Sequence, residues 1–220
     1  MERLPDLAFG NSTAKLLSSS DAASQAMGEV IPSLSYVGSR RSNEFLTKIA
    51  SAQIGAVSMV ASSVLPSLME VTESKGWHLE VPYFGSAEMR IDRKSIALSG
   101  GQNAILLPNV QRTTDNAARS AVFASLDIAR LNATIATIRG LDNHAYELQD
   151  QPYEIDVRGV REVFPAFQRI CGMIDAVSAN AHFAELLGLE DMLYRWTALA
   201  VRGGANEIDS ALGPDRSTHR

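Results

Sequence analysis

From Gly76 to Leu126 the chain runs as short alternations of apolar and polar residues, and beyond that point its apolar residues recur every three or four positions. The first pattern predicts strands, whose side chains point to opposite faces in turn, and the second predicts amphipathic helices. Trp77–Asp92 carries the clearest period of two. Its odd positions are Trp77, Leu79, Val81, Tyr83, Gly85, Ala87, Met89 and Ile91; its even positions include His78, Glu80, Ser86, Glu88 and Arg90. The odd set is expected to face a core or cavity and the even set mostly water. Gly85 marks a bend dividing the segment in two. Asp92-Arg93-Lys94 turns the chain into Ser95–Leu98, and Gly100-Gly101 supplies a bend before the short strand Ala104–Leu107. Asn109–Ala118 reads as polar loop, and Ser120–Leu126 as the last strand of the run.

On the N-terminal side, Ser18-Ser19-Ser20-Asp21 offers capping oxygens for a helix with Ala22, Ala23, Ala26, Met27, Val30 and Ile31 on one face, stopping before Pro32. Strands are expected at about Ile54–Ala61 and Ser67–Glu73. On the C-terminal side, Asp127 is the expected N-cap of a helix carrying Ile128, Leu131, Ile135 and Ile138, with Gly140 just past its end. A polar connection follows. Val160, Val163, Phe164, Phe167, Ile170, Cys171, Ile174 and Val177 then keep helical spacing, and Pro165 fits a first turn or a kink. A second helix carries Phe183, Leu186, Leu187, Leu193, Trp196, Leu199 and Ala200, with a break near Gly188 and an end at Gly203-Gly204. The sum is an α+β chain: a β-barrel with an N-terminal helix, followed by a C-terminal pair of amphipathic helices.

Charge and composition narrow the chemistry. A formal net charge of −5 with scattered Lys and Arg predicts no direct nucleic acid contact from this chain. Neither a secretory signal pattern nor an apolar stretch near the ~20 residues of a membrane span is present, so a cytoplasmic protein without membrane contact is expected. The lone Cys171 excludes an intramolecular disulfide and reads as a buried, inert thiol. His78, His144, His182 and His219 fall on four different elements, so no metal triplet assembles at a familiar spacing. The sequence holds neither a Gly-x-Ser-x-Gly elbow nor a phosphate-binding loop. No catalytic residue, metal or cofactor is therefore expected. What remains is a barrel wall whose Trp77 and Tyr83 combine ring surface with a polar handle, as a small-molecule site would. Residue types alone fit a filled core with no ligand slightly better.

Three segments resemble the N-terminal half of AraC-type (AraC/XylS family) transcriptional regulators. Leu79–Glu88 is similar to that family's apolar strand ending in Gly before a polar hairpin, Leu98–Pro108 to the Gly-containing segment after it, and Phe123–Leu131 to its strand-to-helix step. The resemblance implies a cupin-like barrel that binds a small-molecule effector of unknown identity, and helices that form a homodimer. On that implication 1–140 is the sensing domain, 141–156 a linker, 157–204 a helical dimerisation arm, and 205–220 a tail towards a helix-turn-helix domain that this sequence does not include. Trp77, Val81, Tyr83 and Met89 are the candidate ligand contacts, and Phe167, Ile170, Ile174, Leu193 and Trp196 the candidate dimer contacts, part of that stripe serving as intrachain core. The expected function is a ligand-sensing and dimerisation domain rather than an enzyme. The alternative is a stand-alone cupin-like enzyme acting on a small metabolite.

Overall fold

Two antiparallel sheets face one another, and helices cover the outer side of the larger one. The computed structural model describes residues 3–28, 30–31, 34–37, 45–72, 76–142, 146–155, 157–177 and 181–204. The elements run β1 (Lys15–Leu17), α1 (Ser20–Met27), β2 (Leu34–Val37), β3 (Thr47–Ile54), β4 (Val57–Val64), β5 (Ser67–Val71), β6 (Trp77–Phe84), β7 (Ser86–Ile91), β8 (Lys94–Ser99), β9 (Ala104–Leu107), β10 (Arg112–Asn116), β11 (Arg119–Leu126), α2 (Ile128–Arg139), β12 (Tyr153–Ile155), α3 (Val157–Val177), α4 (Ala181–Leu186) and α5 (Leu189–Gly204). The larger sheet has the order β1-β3-β4-β11-β6-β9-β12 and the smaller β2-β5-β10-β7-β8. Among the described residues no ladder joins the two sheets, so the expected barrel is open rather than closed.

Local chemistry sets several boundaries. Ser19 caps α1 and Asp127 caps α2, each side chain accepting a first-turn N–H. Gly140 closes α2 in the left-handed region at φ 68°, its N–H bonded back to the last turn. Gly85, at φ 74°, carries the chain from the larger sheet to the smaller; a Cβ there would run into the carbonyl oxygen of Ala118.

Other expectations are corrected. The strand placed at Ile54–Ala61 straddles the β3–β4 turn, and Asn109–Ala118 is not a loop, because it contains β10. Pro165 lies inside α3 and not in its first turn. The segment expected as a linker contributes β12, which pairs with β9 through Tyr153↔Leu106 and Ile155↔Ala104. His144 and the tail 205–220 lie outside the described residues, as do Pro32, Glu73 and the side chains of Val160, His182 and Phe183.

The helices are not a separate arm in their packing. One hydrophobic core joins Leu79, Val81 and Val122 of the larger sheet to Leu131, Phe167 and Leu193 of the helices, and Leu7 and Phe9 from the N-terminal stretch enter it as well. Arg130 of α2 pairs with Glu190 and Asp191 in the first turn of α5 and lies 4.5 Å over the Tyr194 ring, clasping the two helices together. Between the sheets sit two apolar lobes. One is built on Tyr36, Val60, Met69 and Phe123, the other on Met89, Ile96, Leu98 and Ile105.

Candidate functional site

The site lies between those lobes and begins with β6, which is buried on both faces. Trp77, Leu79 and Val81 point to the helices, while His78 and Glu80 point towards the smaller sheet at 1% and 0% exposure. This reverses the expected facing of the strand. Alternation distinguishes two faces, but it names the inner one only when the other meets water. Glu80 stands opposite Phe123 of β11 and Ile105 of β9, both of which belong to the space between the sheets. From the smaller sheet, β10 turns Arg112, Thr114 and Asn116 inward and leaves Thr113 and Asp115 half-buried. Arg119 opens β11 just before a register shift at Ser120/Ala121, and Ser62 and Tyr36 add hydroxyls from β4 and β2.

Within this lumen, Arg119 Nη2 lies 2.8 Å from Glu80 Oε1, an ion pair by distance but off the line that a hydrogen bond needs. Both ring nitrogens of His78, Arg112 Nε, Thr114 Oγ1, Asn116 Oδ1, Arg119 Nη1 and the hydroxyls of Ser62 and Ser120 have no hydrogen-bond partner. Such buried groups are costly when left unmatched, at about 1–3 kcal/mol each. Burial and the neighbouring Arg112 charge push the His78 imidazole down to about 4, so it is neutral at pH 7. Burial raises the Tyr36 hydroxyl, opposed by the nearby Ser62 hydroxyl and the charge of Arg119. Tyr36, Ser62, Met69, Asn116, Arg119 and Phe123 surround a cavity of about 10 Å³, room for roughly one water.

The four expected ligand contacts are not brought together. Trp77 packs 6.2 Å from the Tyr153 ring, Val81 is under the helices, and the half-buried Tyr83 meets Phe164 at 5.7 Å. Only Met89 is on the lumen side, in an apolar lobe, because the Gly85 bend changes which side the odd positions face. The five expected dimer contacts, Phe167, Ile170, Ile174, Leu193 and Trp196, are all buried within the chain at 3% exposure or less, with Phe167 and Trp196 rings 4.8 Å apart. Their side chains therefore offer almost no surface to a second copy. Cys171 is buried, and burial pushes its thiol up to about 12, which suits an inert role.

His78 and Glu80 share one strand face, two residues apart, so the expectation that kept them away from any metal does not hold. Even so, no group of three His, Cys, Asp or Glu that could hold a metal gathers among the described residues, and the nearby guanidinium groups oppose a cation. The lumen set that sequence reading missed is Arg112, Thr114, Asn116 and Arg119. The adjacent β-branched pair Thr113-Thr114 was the available strand signal.

No family model matches the chain, and no curated protein does. Among solved structures, the AraC-like transcriptional activator CuxR aligns with a TM-score of 0.58 at 9% identity, covering 86% of this chain and 70% of that one. This chain shares its fold with an AraC-like activator. Shorter alignments include a cupin superfamily protein from Desulfitobacterium hafniense DCB-2, at 21% identity and TM-score 0.31 over 39% of this chain and 80% of that one. Another is the cupin domain of an XRE family transcriptional regulator from Enterobacter cloacae, at 18% identity and TM-score 0.30 over 36% of this chain and 92% of that one.

The buried imidazole makes stability depend on pH. His78 sits near 4 when folded against 6.5 when unfolded, so the unfolded chain binds the additional proton between those values. The contribution is complete above pH 6.5 and is lost as pH falls towards 4, by about 3 kcal/mol at the lower end. Urea unfolding of the wild type and His78→Asn across that window should give a shallower slope for the variant. Parallel curves would contradict the assignment.

Proposed function

We propose that the chain is the effector-sensing and dimerisation domain of a bacterial AraC-type transcriptional regulator, with a small molecule held between its two sheets. What carries this reading is the buried lumen set of hydrogen-bonding groups that no protein atom satisfies. Such groups suit a polar guest.

The same strands connect guest and helices. β6, β11 and β4 turn Glu80, Arg119 and Ser62 towards the lumen, and Val81, Val122 and Met59 towards the helix-side core. A guest that shifts these strands changes the surface on which α3 and α5 pack, and so selects one helix placement over another. With the interior stripe already buried, dimerisation falls to the outward side of α4, α5 and the turn between them, where Leu186, Leu187, Met192 and Leu199 are exposed. A net charge of −5 suits a domain that leaves DNA reading to another unit.

The test fuses the chain to a monomeric DNA-reading unit that represses a reporter only when paired. Repression is expected, and Met192→Glu with Leu199→Glu should weaken it without changing the circular dichroism spectrum. A chain that fails to repress and sediments as a monomer at high concentration sinks the dimerisation half of the reading.

A further inference from the structure

The lumen is out of charge balance. Its buried ionisable side chains among the described residues are Arg112, Arg119, Glu80, His78 and Tyr36, whose hydroxyl is kept neutral by burial. Glu80 matches Arg119 at 2.8 Å. His78 is neutral at pH 7, its imidazole held near 4. Arg112 has no carboxylate within ion-pair distance among the described residues, and the one carboxylate whose charge reaches it, Glu80, is already paired with Arg119. Its Nη1 donates to the Val110 carbonyl at 3.3 Å and its Nε has no partner. A guanidinium keeps its charge in a protein, so the lumen buries one positive charge more than it neutralises.

An uncompensated buried charge is among the most unfavourable features that a core can hold. A neutral guest satisfies hydrogen bonds but leaves the charge, and a cation worsens it. An oxyanion answers both needs, since the planar guanidinium fork matches carboxylate and phosphate oxygens. The unpartnered hydroxyls of Thr114 and Ser62 and the free Arg119 Nη1 are further donors for it.

We propose that the lumen binds an oxyanion, a carboxylate or phosphate group, with Arg112 as its principal partner and Arg119 as its second. This rests on the lumen being the effector site. The cavity of about 10 Å³ is lined by Arg119 and not by Arg112, so the anion enters a lumen that opens from this cavity towards Arg112. Met69 and Arg119, which line the cavity, have the rotatable side chains to admit it.

The test uses the purified chain at fixed ionic strength, with acetate and inorganic phosphate as anionic probes, acetamide as the neutral match and methylammonium as the cation. Two readouts are followed: thermal unfolding, and the Nε–Hε NMR signal of Arg112. Acetate or phosphate should raise the Tm saturably and move the Arg112 signal, whereas acetamide and methylammonium should do neither. Arg112→Gln should weaken anion binding at least tenfold, leaving only the small rise that phosphate gives any protein. The NMR titration of the wild type decides the matter should that variant not fold. If acetamide binds as well as acetate and moves the same signal, the oxyanion assignment falls while the lumen stands as a ligand site. If no probe moves any lumen signal, the oxyanion assignment and the lumen reading fall together. An Arg112→Gln protein that keeps the full anion response also overturns the assignment.

Discussion

Replacing Glu80 by glutamine is expected to destabilise the protein by about 3–5 kcal/mol, the usual cost of leaving one member of a buried ion pair behind. Arg119 and Glu80 have side chains only 3% and 0% exposed, so water cannot take over the role of the missing carboxylate. The Glu80 charge also acts on Arg112, so the variant would leave both guanidinium groups of the lumen without an opposing carboxylate. Domains of this size are stable by only about 5–15 kcal/mol, so the loss should appear as a large drop in the urea midpoint at pH 7. Removing both charges in Glu80→Gln/Arg119→Met should recover most of the loss. A single variant less than about 1 kcal/mol below the wild type would mean that the pair is hydrated and the lumen wet.

Trp196→Ala is expected to have a comparable effect, about 3–5 kcal/mol, for a different reason. The indole packs on Phe167 at a ring separation of 4.8 Å and donates from Nε1 to the Val163 carbonyl at 2.9 Å, all within one chain. The loss should therefore be the same at low and high protein concentration. A side chain holding two subunits together would instead give a Tm that rises with concentration and a variant defect that is greatest in dilute solution. Thermal unfolding of both proteins over a wide concentration range separates the two.

Local chemistry was the most readable part of the sequence. Asp127 and Gly140 mark the ends of α2 because caps depend on neighbours three or four residues away. The alternation of Trp77–Ile91 was readable too, but its polarity misled. His78 and Glu80 look like solvent residues until β11 and the smaller sheet enclose them, and that enclosure comes from residues some forty positions later. β10 was missed for the same reason. An Arg-Thr-Thr-Asp-Asn strand reads as loop because its inward side carries Arg112, Thr114 and Asn116 rather than aliphatic residues. A polar lumen thus erases the signal that would reveal the strands lining it. The helical stripe was read correctly as apolar, but whether it meets its own sheet or a second subunit depends on tertiary packing, and the sheet covers it.

The core on the outer side of the larger sheet has a consequence for synthesis. It is completed from both directions along the chain: Leu7 and Phe9 enter near the start, Gly10 donates its N–H to Asp175 of α3, and Val201 of α5 comes near the end. Domains form as units while the chain leaves the ribosome. The strands from Thr47 to Leu126 emerge long before α3 and α5, so the growing polypeptide carries a naked apolar sheet until α5 clears the exit tunnel. That interval, rather than the finished fold, is when this protein is most exposed to aggregation and to chaperone capture.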